Sequence, residues 1–459
     1  MTELDELESV VGRGDLDGVA AVVGRLRAQG TPARSLLQAG LAGALDGLPS
    51  DGCGALALVA LSSAFSLAED SVDPGRSLLL GQGLGGLAAA VKRGGFRATP
   101  EAGVDSRPET LDEAMAHRRP LAAAGAVVAA ATERGPAAAR WMLYRAATRV
   151  FTRGGDALIG AVWVGRLLDR LAWGDAAPSV LALLMTGFDR LQNPERVDAA
   201  YWHPTWPSLP AGALVVRRGR RPVPRALDDV LAAPDIFELD TTLDASLRSG
   251  MDVDALAEAV IVAAARRLLR TRRRDTATPE PPVLWLGEPA RALVLAHAAR
   301  SAWRDAPSTE TLLGVWQAAR YHVQTAWVEH AQWDPAFWPT EPPPGATGEV
   351  LLSTACKAMR EGQPGLATAC AQAFQSKWMG HSVVRDAARA HLSRGVGGPQ
   401  GLMWRSRSLE LAAAAVDEMR RSAAHRDLLA TALVRTLASP DLAPDTAFSD
   451  RMAAALNGR

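Results

Sequence analysis

Along most of the chain apolar residues recur three and four positions apart, in segments closed by Gly, Pro, Asp or Ser, and strand-like alternation is almost absent. That period predicts a nearly all-α protein. The N-terminal part predicts helices near residues 3–12, 16–28, 32–46, 53–69, 75–92, 109–132, 136–152, 155–172 and 177–191. Several carry proline in the first turn, at Pro32, Pro74 and Pro136, where its missing N–H costs nothing. Helical patterning resumes near 252–273, 288–304, 309–333, 347–361, 364–379, 382–393, 407–422, 424–438 and 445–457.

Between these runs, residues 193–250 contain "YWHPTWPSLP" and "ALVVRRGRRPVPR", where proline is too dense for a continuous helix. A short β-hairpin around Leu214–Val216 or an extended lid are both open there. The pattern thus predicts an all-α fold: an irregular array of helical hairpins in two halves, 1–192 and 251–459, joined by an aromatic and basic connector at 193–250. Helix, acidic turn and small-residue helix recur at 61–87, 160–188 and 295–319, without the fixed period of a solenoid.

Composition narrows the partners more than it names them. Fifty basic and fifty acidic residues cancel, so no global field draws the 459-residue chain to an anionic membrane or to nucleic acid. Lys92, Lys357 and Lys377 are the only lysines; with abundant Ala, Gly, Leu and Val this is the usage of a GC-rich bacterial genome, so arginine number alone carries no function. The acidic start "MTELDELESVVGRGDLDG" has no leader pattern and no apolar run reaches a membrane-spanning length, which predicts a soluble cytoplasmic protein. Cys53, Cys356 and Cys370 form neither a disulfide framework nor a metal-ligand spacing. Cys356 and Cys370 fall level across a predicted hairpin turning near Gly362, as an oxidant-responsive thiol pair or two small core residues.

The segment "LLDRLAWGDAAPSVLALL" followed by "FDRLQNPERVDAA" resembles a helical hairpin of questin-oxidase-like proteins and of the helical region preceding a Rieske domain in some bacterial proteins. No Rieske ligand pattern follows it here. The resemblance covers this hairpin and its two echoes, and it implies oxidation of an aromatic, polyketide-like compound with a nicotinamide cofactor such as NADPH. No motif of the chain itself identifies a cofactor: "GQGLGG" (81–86) lies inside a helical segment with no strand before it, where small residues permit close helix approach.

Candidate chemistry concentrates in "HVQTAWVEHAQWDPAFWP", 322–339. On a helix over 309–333, Leu312, Trp316, Ala319, Val323, Trp327 and His330 share one stripe, while His322 and Glu329 lie to its side. An antiparallel hairpin turning at Ala306 and Pro307 brings Trp285 level with Trp327, surrounding His330 with tryptophans and leaving Glu288 within about two turns. Two readings stay open, a tryptophan-rich core seam and an aromatic-walled pocket with one titratable group. In the second, His330 or His203 is the acid/base and Glu288 or Glu329 orients it. Trp202, Trp206, Trp285 and Trp327 form the walls, and Arg217 and Arg218 bind substrate or cofactor phosphate. The same arginines also suit a solvated loop, and Arg266–Arg274 suit a helix C-terminus. Two functions follow: an oxidoreductase of questin-oxidase-like type acting on an apolar or aromatic small molecule, or a non-catalytic helical scaffold for a partner protein.

Overall fold

The computed structural model describes residues 2–49, 52–91, 97–151, 154–191, 225–232, 235–271, 287–326, 340–378, 380–393, 402–439 and 446–457. Among these the chain forms 21 α-helices and no strand or sheet, so the fold is all-α. None of these helices is long and apolar enough to cross a membrane. The stretch that could hold a β-hairpin, 214–224, lies outside the described residues.

Two units share the chain. Unit 1 comprises Met1–Asp198, Leu392–Glu410 and Asp445–Arg459, and unit 2 comprises Ala199–His391 and Leu411–Pro444. Residues 392–410 and 445–459, which sequence order puts in a C-terminal array, therefore group with the N-terminal one.

Unit 1 contains α1 (Glu3–Gly12), α2 (Leu16–Ala28), α3 (Ala33–Ala44), α4 (Cys53–Glu69), α5 (Gly75–Ala90), α6 (Pro108–Ala116), α7 (Pro120–Arg134), α8 (Pro136–Arg149), α9 (Asp156–Arg170), α10 (Ala177–Leu191) and α21 (Thr446–Leu456). Helix starts are written locally: Thr2 and Asp5 form a reciprocal capping box on α1, and the Asp15 carboxylate accepts the Gly18 N–H at 2.9 Å on α2. Helix α4 is apolar on all sides and buried from Ala57 to Ala68, so it runs through the core with α5 and α9 packed on it. The small residues of α5 do what the sequence suggests. A Cβ on Gly83 would meet Ala64 of α4 at 2.8 Å, and one on Gly85 would meet Phe448 of α21 at 2.8 Å. One expectation changes: residues 109–132 are two helices, broken where Arg118 takes a left-handed φ of 54° and Pro120 opens α7. Pro120 disfavours helical backbone in the residue before it, a signal that apolar period alone overruns.

Unit 2 contains α11 (Arg225–Ala232), α12 (Ile236–Arg248), α13 (Val253–Arg270), α14 (Gly287–Asp305), α15 (Thr309–Gln324), α16 (Gly348–Arg360), α17 (Pro364–Trp378) and α20 (Arg426–Leu437). Two further helices, α18 (His381–Ser393) and α19 (Leu402–Arg421), contribute His381–His391 and Leu411–Arg421 to it. Helices α11 and α12 correct the irregular connector expected over 193–250. The Asp235 carboxylate caps α12 by accepting the Phe237 N–H at 2.8 Å and the Glu238 N–H at 3.0 Å, and Leu239, Leu243 and Leu247 recur at a spacing of four. Helix α13 is central, with α14, α15 and α20 packed against it, while α16 and α17 form a hairpin on α20.

Candidate functional site

The sequence's preferred catalytic group cannot be placed. His330, His203, Glu329, Trp202, Trp206, Trp285, Trp327, Arg217 and Arg218 lie outside the described residues, and Glu288 sits in the first turn of α14 with its side chain also outside them. The site is therefore built from what the described helices bring together, first in unit 1 and then in unit 2.

In unit 1 the ends of α2, α4 and α9 and the starts of α3 and α5 surround an open cleft of about 540 Å³. Its floor is apolar, with Leu37, Phe65, Ala68 and Leu80, and its walls carry Arg27, Arg34, Arg76, Arg170 and Glu69. That volume falls within the range of small-molecule sites. Two of the arginines are held by the fold. Arg27 donates from Nη1 to the Thr31 carbonyl at 2.6 Å, from Nε to Ser77 Oγ at 3.1 Å, and pairs with Asp73 at 3.2 Å. Arg170 pairs with Glu69 at 2.7 Å. Partial burial opposes ionisation of Asp73, but the Ser77 hydroxyl and the charge of Arg27 outweigh it and hold that carboxyl below its usual value.

Unit 2 places its polar groups inside. His297 on α14 is fully buried, and its Nδ1 lies 2.8 Å from Glu418 Oε1 on α19 while Nε2 faces Asp417 at 3.6 Å. One turn further, Arg300 is 2 % exposed and reaches three carboxylates: Glu418 at 2.6 Å, Asp254 at 2.8 Å and Glu258 at 2.9 Å. Arg304 shares Asp254, Arg421 shares Glu418, and Ser422 donates to Glu258. Burial penalises the Glu418 carboxylate, but the hydrogen bond and charge of His297 and the charges of Arg300 and Arg421 win, holding its pKa at about 2 against the usual 4.5. Asp254 is likewise held at about 2, with Arg300 and Arg304 overcoming its desolvation.

A second buried group joins α13, α15 and α11. His322 does not flank the core as its helical angle suggests; it is 1 % exposed, with Nε2–H donating to the Leu231 carbonyl at 3.0 Å and Nδ1 facing Arg267 Nη1 at 3.3 Å. These partners fix the neutral tautomer with its proton on Nε2. Burial above all, and then the Arg267 charge, pushes its pKa well below the usual 6.5. Arg267 also donates to the His322 carbonyl and to Thr325 Oγ1. Arg435 closes the C-terminal end of α13, donating to the carbonyls of Leu268 at 3.0 Å and Thr271 at 2.6 Å. Within the run expected at a helix C-terminus, Arg267 is thus a core residue.

Chemically the two places differ. The unit 2 groups have the pairing of an acid/base site but lie shut in the interior, each directed at a structural partner, so they orient helices. The unit 1 cleft is open at the surface, with no imidazole, thiol or hydroxyl among its lining side chains. Among the described residues no group of three or more His, Cys, Asp or Glu could hold a metal ion. Cys370 is buried, which raises its thiol pKa, and Cys356 is half-buried; neither forms a disulfide. With this geometry in hand, comparison with known proteins adds no relative: no family model, no curated protein and no solved structure matches the chain.

Proposed function

We propose that this protein is a helical binding protein whose unit 1 cradles an apolar or aromatic small molecule. The carrying observation is the cleft itself: an apolar floor of Leu37, Phe65, Ala68 and Leu80, open at the surface and of small-molecule size. The arrangement supports binding more directly than turnover, because its lining offers guanidinium and carboxylate groups but no nucleophile. The oxidoreductase reading depends on side chains at 202–218, 285–288 and 327–330, which lie outside those described, and nothing in the described residues favours it.

The test uses the full chain and the neutral aromatic probe N-phenyl-1-naphthylamine, whose fluorescence rises in apolar surroundings. Saturable one-to-one binding is expected, and Ala33→Trp, which fills the mouth of the cleft from the first turn of α3, should abolish it. Probe binding indifferent to Ala33→Trp would place the apolar site elsewhere and overturn the reading.

A further inference from the structure

Four arginines face the cleft, and they come in two kinds. Arg27 lies in the last turn of α2 and Arg170 in the last turn of α9, where the negative end of the helix dipole favours a cation. Each also has its own carboxylate, Asp73 and Glu69. Arg34 has neither advantage, and Arg76 has only the more distant charge of Asp73, which already pairs with Arg27. Arg34 is in the first turn of α3 and Arg76 in the first turn of α5, the positive ends of those helices. No acidic residue occupies either first turn and no side chain caps the start of α3, whereas the Asp73 carboxylate caps α5 by accepting the Ser77 N–H at 3.1 Å. Among the described residues neither arginine is within ion-pair distance of a carboxylate; Arg76 donates from Nε to the Ala68 carbonyl at 3.2 Å, which holds it against the floor.

The charges around the cleft therefore do not balance. Four guanidinium groups line the cleft with a single carboxylate, Glu69; it pairs with Arg170, and Asp73, outside the lining, pairs with Arg27. The excess positive charge lies at the two helix starts. It sits beside apolar floor residues, where a guanidinium gains more from an anion than it would in open water. A ligand that relieves this arrangement needs an apolar body for the floor and one anionic group for the two arginines.

We infer that the cleft of unit 1 binds an amphipathic anion, an apolar or aromatic body carrying a single carboxylate or phosphate group, with Arg34 and Arg76 as the anion-binding residues. The inference rests on the binding reading above and adds the class of its ligand. Arg27 and Arg170, fixed by Asp73 and Glu69, shape the walls. Arg34 and Arg76 close on the anion with charge-assisted hydrogen bonds, and the start of α3 contributes its dipole in the same direction.

The experiment compares two probes with one aromatic skeleton, 1-anilinonaphthalene-8-sulfonate and the neutral N-phenyl-1-naphthylamine, on the full chain. The sulfonate is expected to bind at least about tenfold more tightly, as hydrogen bonds to charged groups allow, and to weaken with added salt while the neutral probe does not. Arg34→Gln combined with Arg76→Gln should bring the two affinities together without weakening the neutral probe, whereas Arg107→Gln, at an exposed arginine of the same unit, should leave the preference intact. Displacement by decanoate and by decyl phosphate, against decanol as the neutral control, identifies which anion the site takes. Equal affinity for both probes, with both lost in Ala33→Trp, would keep the cleft and overturn the anion. Failure of both probes to respond to Ala33→Trp would overturn the cleft itself.

Discussion

Unit 1 and unit 2 use the same helical grammar and fill their interiors in opposite ways. Among the described residues, Glu410 is the one buried charged side chain in unit 1, whose core is mostly Ala, Leu and Val fitted around glycines, with a few uncharged polar groups such as Ser62 and Gln82. Unit 2 buries Arg267, Arg300, Arg320, Arg435, His297, His322 and Glu418. A core of close apolar contacts specifies helix positions by shape. A buried network specifies them by partner, because a displaced helix leaves a charge unpaired in a medium that penalises it. The distinction predicts which substitutions each unit tolerates.

The largest effect is expected at Glu418. Glu418→Leu leaves Arg300 and His297 buried beside a missing carboxylate and should lower stability by about 3–5 kcal/mol in urea denaturation. Replacing the cluster together, as His297→Leu, Arg300→Met and Glu418→Leu, should regain a large part of that loss, because well-packed apolar groups replace buried ions at little net cost. A loss below about 1 kcal/mol for the single variant would erase the proposed contrast.

Next comes pH. Glu418 and Asp254 bind fewer protons folded than unfolded at mildly acid pH, so their contribution is complete above about pH 5 and is lost as pH falls towards about 2. For Glu418 alone, the drop from 4.5 to about 2 corresponds to something on the order of 3 kcal/mol. His322, neutral when folded, begins the loss earlier, as the unfolded imidazole takes up a proton below 6.5. Hydrogen exchange, corrected for its intrinsic pH dependence, should show α13 to α15 losing protection between pH 6.5 and 3 while α4 and α5 change little. His322→Gln should remove the part of the decline above pH 5.

Unit 1 has its own sensitive points, and they are steric. Gly43→Ala places a Cβ against the backbone carbonyl of Glu8, which cannot swing aside, and should cost about 1–3 kcal/mol by thermal denaturation. Gly165→Ala, mid-helix in α9, meets only the flexible Arg140 side chain at 3.6 Å and should stabilise by roughly 0.5–1 kcal/mol. Destabilisation by both would mean that unit 1 is tight everywhere rather than at its helix crossings.

How far these features could be read from sequence follows from the same physics. Helix positions were legible because period, proline and caps are local: α1, α2, α4 and α10 span the residues the pattern predicts. The helices α11 and α12 are hidden because the prolines between 204 and 224 outweigh the spacing of Leu239, Leu243 and Leu247, and the break at Arg118 because the apolar period runs on past Pro120. The buried network had a signal that was passed over. Val260, Ala264, Arg267 and Thr271 step by four, three and four along one face of α13, as Leu411, Ala415, Glu418 and Ser422 do along α19, so a charge stood inside each apolar stripe. Which acid meets which arginine is a tertiary fact that no helical wheel contains. The cleft had no comparable signal, because Arg27, Arg34, Arg76 and Arg170 come from four helices and arginine is common throughout this chain.

The smallest stability effect separates packing from binding most cleanly. Arg34 is exposed in the first turn of α3, so Arg34→Glu exchanges an unfavourable charge for one the helix dipole favours and should raise stability by about 0.3–1 kcal/mol. If the arginine serves an anionic ligand, the same change should abolish the preference for 1-anilinonaphthalene-8-sulfonate over its neutral counterpart. Gain of stability with loss of preference marks a residue held against the interest of the fold, as functional residues often are. Loss of stability would instead assign Arg34 to the structure, beside Arg27 and Arg170, whose partners are Asp73 and Glu69.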